Sequence, residues 1–395
     1  MAPIRIGFIG LSTQGWAASG LVPSLFDPLL SPSYTLTALC TSSPVSASAA
    51  ASKYSELAGR PVKAYHGENG FTEIANDPEV DMVAVSIKIP DHFKAVWPAI
   101  EAGKDIFIEW TVGNGLEETV KIAEAAKKKG LKVLVGAQAN HGVAINKAKE
   151  LVESGRIGRV LSTTAILSAP FFWGKLANPS FKYGYDIDNG EQRRLLSLKI
   201  RSQVPSAGAT PLTIPVGHFI VALSHVLGEF TSLSAHGIIA VPTAKVIDAA
   251  GNETGEIFQK TAHDQVAVSG VLRGNGAYTE MSFANIHARV ALGEQGRGRT
   301  LFKWIIDGED GTIELREDGT GGGFVAIGEK RVFLNGEEVK LEEKAEDRLG
   351  NSGKAWLEFA KGAEGKFFGI DDAVRLHRAV DAAQKSINEG RTVVL

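Results

Sequence analysis

The chain has 395 residues, of which 44% are hydrophobic and 22% are charged, a composition typical of a soluble globular protein with a sizeable core. Its formal net charge of −3 argues against a nucleic-acid-binding surface spread over the whole protein, and its single cysteine excludes an intramolecular disulfide. Because it has neither a signal-peptide pattern nor a run of about 18 apolar residues, we expect a cytosolic or nuclear protein of about two domains.

The first twenty residues contain a predicted strand, a glycine turn and a helix-like segment. Ile4–Ile9 is a short apolar run, and the residues after it have the spacing Gly10-x-Ser12-x-x-Gly15. This is the dinucleotide-binding pattern with serine at its second glycine. Gly10 is expected to make the tight turn and Gly15 to let the helix pack closely, so that backbone N–H groups can bind a pyrophosphate. A tight turn without a ligand is the alternative.

The end of the second predicted strand carries information about the cofactor. Tyr34–Cys40 is followed by Thr41, Ser42 and Ser43, where NAD-binding domains usually have Asp or Glu on the ribose hydroxyls. Since hydroxyl groups do not repel a 2′-phosphate, the sequence fits either cofactor and slightly favours NADP over NAD.

Strands and helices alternate through residues 1–137. This alternation predicts an NAD(P)-binding Rossmann domain with a parallel, doubly wound sheet. The further predicted strands cover residues 81–87, 106–109 and 131–136, and the predicted helices begin near Val45, Gly70, Asp91 and Leu116.

The pattern of predicted elements changes after residue 137. An amphipathic helix over 144–154 is followed by β-rich runs separated by glycine-containing turns. Residues 138–395 are therefore predicted to form an α+β domain with a large, mostly antiparallel sheet. The predicted β-rich runs are 236–246, 265–273, 278–286, 302–306 and 312–315, and the last helix covers 370–389.

The order of short motifs resembles the Gfo/Idh/MocA oxidoreductase family over nearly the whole chain. Within that family, several stretches resemble the fungal galactose-regulon repressor branch, whose members bind NAD(P) and sequester a transcription activator. The motifs shared with the family are Pro90-Asp91-His92, Ala102-Gly103-Lys104 before Glu109, residues 135–138, residues 148–158, Gly217-His218 and residues 380–383; those shared with the branch are residues 10–17, Glu109-Trp110 and residues 185–190.

The resemblance implies a homodimer, and a cleft that takes a sugar-like small molecule or an activator peptide. Together, the glycine turn and the resemblance predict cofactor contacts from Gly10, Ser12, Thr13, Gln14, Gly15, Ser42, Ser43, Ile87, Lys88, His92, Glu109, Trp110 and Gln138.

Two residues that the family uses for catalysis are replaced. Catalytic members carry Glu-Lys-Pro where this chain has Glu109-Trp110-Thr111, and an indole cannot carry a cation or relay a proton. They also carry His-x-x-Asp, whereas here His218 is followed by Val221. His218 is therefore the one candidate acid/base residue, and a histidine retained from an enzyme ancestor is the equal alternative. No metal-ligand spacing is present.

Two further features leave alternatives open. Tyr183, Tyr185 and residues 171–173 form an aromatic cluster that either packs in the core or lines a cleft, and Asp186 and Asp188 are possible assistants to His218. Residues 191–208 form a basic insert with no counterpart in the branch, interpreted as a translated intron or as a genuine surface loop.

Two functions follow from these observations. The favoured one is a cofactor-dependent transcriptional regulator with weak or no turnover. The alternative is an active NAD(P)-dependent oxidoreductase acting on a sugar or polyol. Both require a bound nicotinamide dinucleotide.

Overall fold

The structure is a computed structural model that describes residues 2–169, 175–177, 181–187, 208–248, 250–274, 276–290, 299–317, 323–328 and 330–395. The chain divides into two compact units. The first unit comprises Met1–His141 and Glu343–Val374, and the second comprises Gly142–Glu342 and Arg375–Leu395.

The described part of the first unit contains a six-stranded sheet in the order β3-β2-β1-β4-β5-β6, and every neighbouring pair is parallel. This order is typical of doubly wound dinucleotide-binding domains and confirms the predicted fold class. Its strands are β1 (Ile4–Ile9), β2 (Tyr34–Thr41), β3 (Lys63–His66), β4 (Met82–Val85), β5 (Asp105–Glu109) and β6 (Val133–Gly136), and its helices include α1 (Pro44–Ala58), α2 (Asn69–Asn76), α3 (His92–Glu101) and α4 (Leu116–Lys128).

Among its described residues, the second unit has a nine-stranded sheet in the order β17-β16-β15-β14-β7-β13-β12-β9-β18 and a three-stranded sheet, β11-β10-β8. In the large sheet only β13 and β7 run parallel, which confirms the mostly antiparallel prediction. The remaining elements in chain order are α5 (Val143–Glu153), β7 (Val160–Ala169), β8 (Leu176–Ala177), α6 (Gly217–Leu227), β9 (Glu229–Ile238), β10 (Thr243–Ile247), β11 (Glu253–Gln259), β12 (Gln265–Arg273), β13 (Ser282–Val290), β14 (Phe302–Gly308), β15 (Thr312–Glu317), β16 (Arg331–Leu334), β17 (Glu337–Val339), α7 (Gly350–Ala360), α8 (Ile370–Glu389) and β18 (Val393–Val394). Helix α7 belongs to the first unit, and α8 begins in the first unit and continues in the second.

One face of the large sheet is buried and packs against helix α6. Phe219 of α6 lies edge-on to Trp304 with ring centroids 5.1 Å apart. Along β13, Ala284 and Ile286 are buried while the alternating residues Phe283 and Asn285 are exposed. This alternation is what an antiparallel sheet with one covered face requires.

The segment after the glycine turn is less regular than the sequence suggests. The structure places a five-residue π-helical turn at Ala17–Leu21 and a short 3-10 turn at Pro23–Phe26 where a regular helix is expected. Pro23 lacks an N–H group, so a continuous α-helix is broken at this point. The ring of Trp16 also lies where a Cβ on Gly20 would be, so the backbone of the turn is pressed against an indole.

Two predicted β-rich runs have different bounds in the structure. The run 236–246 is divided between β9 and β10, because the N–H groups of Ala240 and Val241 donate to the carboxylate of Asp264 at 2.7 and 2.8 Å instead of joining a ladder. The run 278–286 begins later, at Ser282. Thr279 donates its N–H to the carbonyl of Gly276 and so belongs to the preceding turn.

Helix α7, for which the sequence pattern predicts no element, completes the core of the first unit. Trp356 is fully buried and stacks on Phe107 of β5 with ring centroids 4.5 Å apart. Its carbonyl accepts a hydrogen bond of 2.7 Å from the hydroxyl of Tyr34. A segment more than two hundred residues away in sequence thus closes the apolar face of the parallel sheet.

Several predictions fall on residues outside the described ranges. These are the aromatic residues 171–173, residues 188–190 of the branch motif, and all of the basic insert except Gly208. Within the described ranges, no helix is long and apolar enough to cross a membrane.

Replacing Trp356 with alanine should leave a large cavity under β5. We expect the free energy of unfolding of the first unit to fall by about 3–5 kcal/mol, measured by urea titration with circular dichroism. Trp97→Ala is the control, because Trp97 is only half-buried on α3, where it stacks on Phe93 and donates a hydrogen bond to Glu101. Equal losses for the two variants would contradict the role given to Trp356.

Candidate functional site

The candidate cofactor residues of the first unit lie at one edge of its sheet. In a parallel sheet the carboxyl ends of all strands meet at the same edge, and ligands bind where the strand order reverses. Here that reversal lies between the neighbouring strands β1 and β4. Gly10–Gly15 follow β1, Ser42 and Ser43 follow β2, and Ile87 and Lys88 follow β4. Glu109 ends β5, Trp110 follows it, and Gln138 follows β6.

Gly10 joins the ends of β1, β2 and β4. Its φ of +94° is one that glycine adopts without strain, and its N–H donates to the carbonyl of Cys40 at 2.8 Å. A Cβ at this position would lie 2.0 Å from the carbonyl oxygen of Ser86. Only glycine therefore fits where the chain crosses the switch point.

The turn after Gly10 uses Ser12 internally. The Ser12 hydroxyl donates to the carbonyl of Gln14 at 2.5 Å and accepts from the N–H of Gln14 at 3.3 Å. Gly15 has φ of +92°, and a Cβ there would meet nothing within 4 Å. Serine in place of the second glycine is thus part of the hydrogen bonding of the turn.

Three hydroxyl residues follow β2, and they differ in accessibility. Thr41 is buried and donates to the carbonyl of Ser43 at 3.2 Å. Ser43 is the N-cap of α1 and accepts from the N–H of Ser46 at 3.3 Å. Ser42 is exposed. Of the three, Ser42 has the hydroxyl best placed to meet a ribose.

His92 connects two of the loops at this edge. Its Nδ1 lies 2.9 Å from the carbonyl oxygen of Thr111, and its Nε2 lies 3.2 Å from that of Ile87. The side chain is fully buried, and burial lowers the pKa of His92, so the ring is neutral and donates to only one carbonyl at a time. The described contacts of His92 are thus structural, holding the loop after β4 against the loop after β5.

Glu109 is a half-buried residue at the end of β5, and its Oε1 atom is shielded from solvent. Burial raises the pKa of Glu109 to about 8, and hydrogen bonds from Trp16 and Gln138 oppose only part of that shift. Its Oε1 has no hydrogen-bond partner among the described residues, and a Cβ on Gly136 would lie 2.5 Å from that atom. An unsatisfied polar atom at the site edge is what a polar ligand group can pair with, and it fits a dinucleotide at this edge.

Trp110 occupies the position where the family resemblance expects a lysine. The indole is only 3% exposed and lies edge-on to Phe368, with ring centroids 6.3 Å apart. The indole carries no charge, so the position contributes none to the site.

His218 lies in the second unit, on α6. Burial lowers the pKa of His218 to about 4, and its buried Nδ1 has no partner among the described residues. Val221, one turn later, is 1% exposed and packs in the core. The imidazole is thus neutral at pH 7 and has no carboxylate from residue 221 to orient it.

Of the two roles considered for the aromatic cluster, packing in the core and lining a cleft, Tyr185 has the first. It is 2% exposed, and its hydroxyl donates to the carbonyl of Leu176 at 2.7 Å. The neighbouring Asp186 accepts from the hydroxyl of Thr261 at 2.5 Å. No group of three or more potential metal ligands occurs in the described part of the chain.

Sequence reasoning missed three residues that contact the site. Trp16 hydrogen bonds to Glu109, Lys53 donates to the carbonyl of Thr13 at 3.0 Å, and Tyr54 donates to that of Ser12 at 3.1 Å. The last two contacts join residues about forty positions apart on a helix and a turn. No local spacing could have indicated them.

Comparison with known proteins gives two matching family models. Residues 4–137 match the oxidoreductase family with an NAD-binding Rossmann fold, and residues 202–317 match the C-terminal domain of Gal80p. The chain therefore has a nicotinamide-dinucleotide-binding fold in its first part.

Individual relatives include both an enzyme and a regulator. The chain is 28% identical to dehydrogenase aclE of Aspergillus oryzae, covering 98% of this chain and 97% of the relative. It is 27% identical to the galactose/lactose metabolism regulatory protein GAL80 of Saccharomyces cerevisiae, covering 85% and 71%. A crystal structure of a super-repressor mutant of Gal80p from the same yeast has the same fold, with a TM-score of 0.81, 23% identity and coverage of 100% and 98%.

The raised pKa of Glu109 predicts a specific pH dependence of stability. Between the ordinary carboxyl pKa of about 4.3 and a folded value of about 8, the folded protein keeps a proton that the unfolded chain releases. The stabilisation is therefore complete at low pH and is lost as the pH rises toward about 8. Glu109→Gln keeps the shape of the side chain but does not titrate. Between about pH 4.3 and pH 8, we therefore expect its free energy of unfolding to fall by about 1–3 kcal/mol less than that of wild type.

Urea titrations at a series of pH values measure this difference. Glu124→Gln, an exposed substitution on α4, is the control and should follow the wild-type curve. A Glu109→Gln curve parallel to wild type would show that Glu109 is not the titrating group.

Proposed function

We propose that this chain, a member of the Gfo/Idh/MocA oxidoreductase family with a Gal80p-like C-terminal domain, is a dinucleotide-dependent transcriptional regulator with little or no turnover. The observation that carries the proposal is the burial of Trp110 against Phe368 where catalytic relatives have a lysine. His218 and Val221 support it, because the lowered pKa of His218, about 4, makes its imidazole a weak base and core-packed Val221 supplies no carboxylate to orient it.

The bound group is a nicotinamide dinucleotide, which would supply hydride transfer if a substrate were also positioned. The residues proposed to hold it are the turn Gly10–Gly15 for the pyrophosphate, Ser42 and Ser43 for the adenosine ribose, Ile87 and Lys88 beside them, and Glu109, Trp110 and Gln138 toward the nicotinamide. We favour NADP over NAD because Ser42 is exposed and no carboxylate follows β2.

The proposed partner is an activation segment of a transcription factor, with the regulator acting in the cytoplasm or nucleus on galactose metabolism. Similarity to yeast GAL80, whose name records a regulatory role in galactose and lactose metabolism, supports this assignment. A homodimer through the exposed face of the second unit's sheet belongs to the same proposal.

A sugar or polyol dehydrogenase is the second candidate. It is favoured by the similarity to dehydrogenase aclE over nearly the full length of both chains and by the retention of His218. In that case, His218 would have to act as a base despite its lowered pKa.

The two candidates differ in turnover but share cofactor binding. We expect the purified protein, with and without residues 191–208, to bind NADPH with energy transfer from its tryptophans and to produce no change in nicotinamide absorbance with a panel of aldoses and polyols. Turnover on the order of 1–10³ per second would reject the regulator. Cofactor-dependent capture of an acidic activation peptide without turnover would reject the dehydrogenase.

The preference for NADP is tested at the exposed hydroxyl after β2. Ser42→Asp places a carboxylate beside the 2′ position, so we expect the affinity for NADPH to fall at least about tenfold relative to that for NADH, through like-charge repulsion. Ser42→Asn is the uncharged control and should keep the wild-type ratio. Dissociation constants from fluorescence titration measure both, and an unchanged ratio in Ser42→Asp would place the 2′-phosphate elsewhere.

A further inference from the structure

Four successive carbonyl groups of the glycine turn each accept a hydrogen bond. The carbonyl of Gln14 accepts from the Ser12 hydroxyl at 2.5 Å, and that of Gly15 accepts from the N–H of Ser19 at 3.1 Å and from its hydroxyl at 3.0 Å. The other two donors come from outside the turn, because the carbonyls of Ser12 and Thr13 accept from helix α1.

The two donors on α1 are adjacent residues with different surroundings. Tyr54 is 2% exposed, and its hydroxyl lies 3.1 Å from the carbonyl oxygen of Ser12. Lys53 is exposed, and its ammonium lies 3.0 Å from the carbonyl oxygen of Thr13 and 5.2 Å from the centre of the Tyr54 ring. Consecutive residues of one helix thus hold consecutive peptide units of the turn.

Fixing these carbonyls also fixes the N–H groups that follow them. In a planar trans peptide, the C=O and the next N–H point in opposite directions. With the carbonyls of Ser12 and Thr13 drawn toward α1, the N–H groups of Thr13 and Gln14 are oriented away from it. The N–H of Gln14 also donates to the Ser12 hydroxyl at 3.3 Å, so a phosphate would share it with that hydroxyl. A series of oriented backbone N–H groups is what binds a phosphate in a glycine turn.

The irregular segment after the turn explains why this support is needed. In the usual arrangement, a regular helix starts at the turn and holds its peptide units in line. Here the segment is a π-helical turn at Ala17–Leu21, and Pro23 interrupts it. The rigidity that a regular first helix would supply comes instead from α1.

We propose that Lys53 and Tyr54 are positioning residues for dinucleotide binding, which act by holding the carbonyls of Ser12 and Thr13 so that the N–H groups of the turn face the pyrophosphate. The inference rests on the proposed dinucleotide site, and it assigns to α1 a role in the affinity of that site. Neither side chain needs to touch the cofactor.

The test compares conservative variants in the full-length protein by their dissociation constants for NADPH and for ADP-ribose, which share the pyrophosphate. Tyr54→Phe removes one hydroxyl, and Lys53→Met removes the ammonium while keeping the stem. Each should weaken binding of both ligands about threefold to tenfold, the worth of one hydrogen bond. Lys53→Arg keeps a donor and should restore affinity to within about twofold.

Matched controls separate positioning from general stability. Tyr34→Phe removes another buried hydroxyl that donates to a backbone carbonyl of the first unit, and Lys121→Met removes an exposed ammonium on α4. Both should leave the two dissociation constants unchanged, whatever they do to the melting temperature.

Amide hydrogen exchange of residues 11–16 without ligand gives an independent readout. Exchange there should be faster in Tyr54→Phe and Lys53→Met than in wild type, and unchanged in the two controls. If the variants bind and exchange like the controls, or if Lys53→Arg is as weak as Lys53→Met, the positioning role is wrong. If wild type binds neither ligand, the proposed dinucleotide site itself fails.

Discussion

The close approach of two strand ends at Gly10 is the constraint on which the rest of the site depends. The carbonyl of Ser86 occupies the place where a Cβ of residue 10 would be, so the chain can cross the switch point only with glycine. This contact sets the spacing between the loops after β1 and β4, and His92 then holds the β4 loop to the segment after β5. The edge that would bind a dinucleotide is thus fixed by backbone contacts, before any ligand contributes energy.

Cofactor binding and catalysis have separate physical requirements, and this chain meets them unequally. Binding a pyrophosphate needs oriented N–H groups and no intruding side chains. Gly10 and the turn whose carbonyls are held by Lys53 and Tyr54 provide both. Moving a proton from a carbinol needs a group whose pKa lies near the working pH. In the second unit, His218 has a pKa lowered to about 4, which makes it a weak base at neutral pH. In the first unit, Glu109 has a pKa raised to about 8, and the neighbouring residue Trp110 supplies no cation.

The sequence allowed the parallel sheet to be predicted because five of its six strands are short, largely apolar runs separated by helices. Strand β3 (Lys63–His66) was not predicted, because three of its four residues are exposed and it has no apolar run. It also indicated the strand ends that carry the candidate site, since the carboxyl ends of parallel strands share an edge. It could not indicate contacts between distant segments, such as Trp356 under Phe107 or Tyr54 on Ser12. The break at Ala240 was missed for a related reason, because a carboxylate twenty-four residues away takes the N–H that a strand would use.

The tryptophan that replaces the family's lysine at position 110 packs against neighbouring residues that suit it. The indole is buried against Phe368, a residue contributed by the late segment that also brings Trp356 under β5. An ammonium at position 110 would have to leave water for an apolar contact, a transfer that costs several kcal/mol unless a counter-charge is present. The single substitution Trp110→Lys would therefore lower the stability of the first unit. In this chain, position 110 is therefore part of the packing of the first unit, whereas the close contact at Gly10 involves other residues.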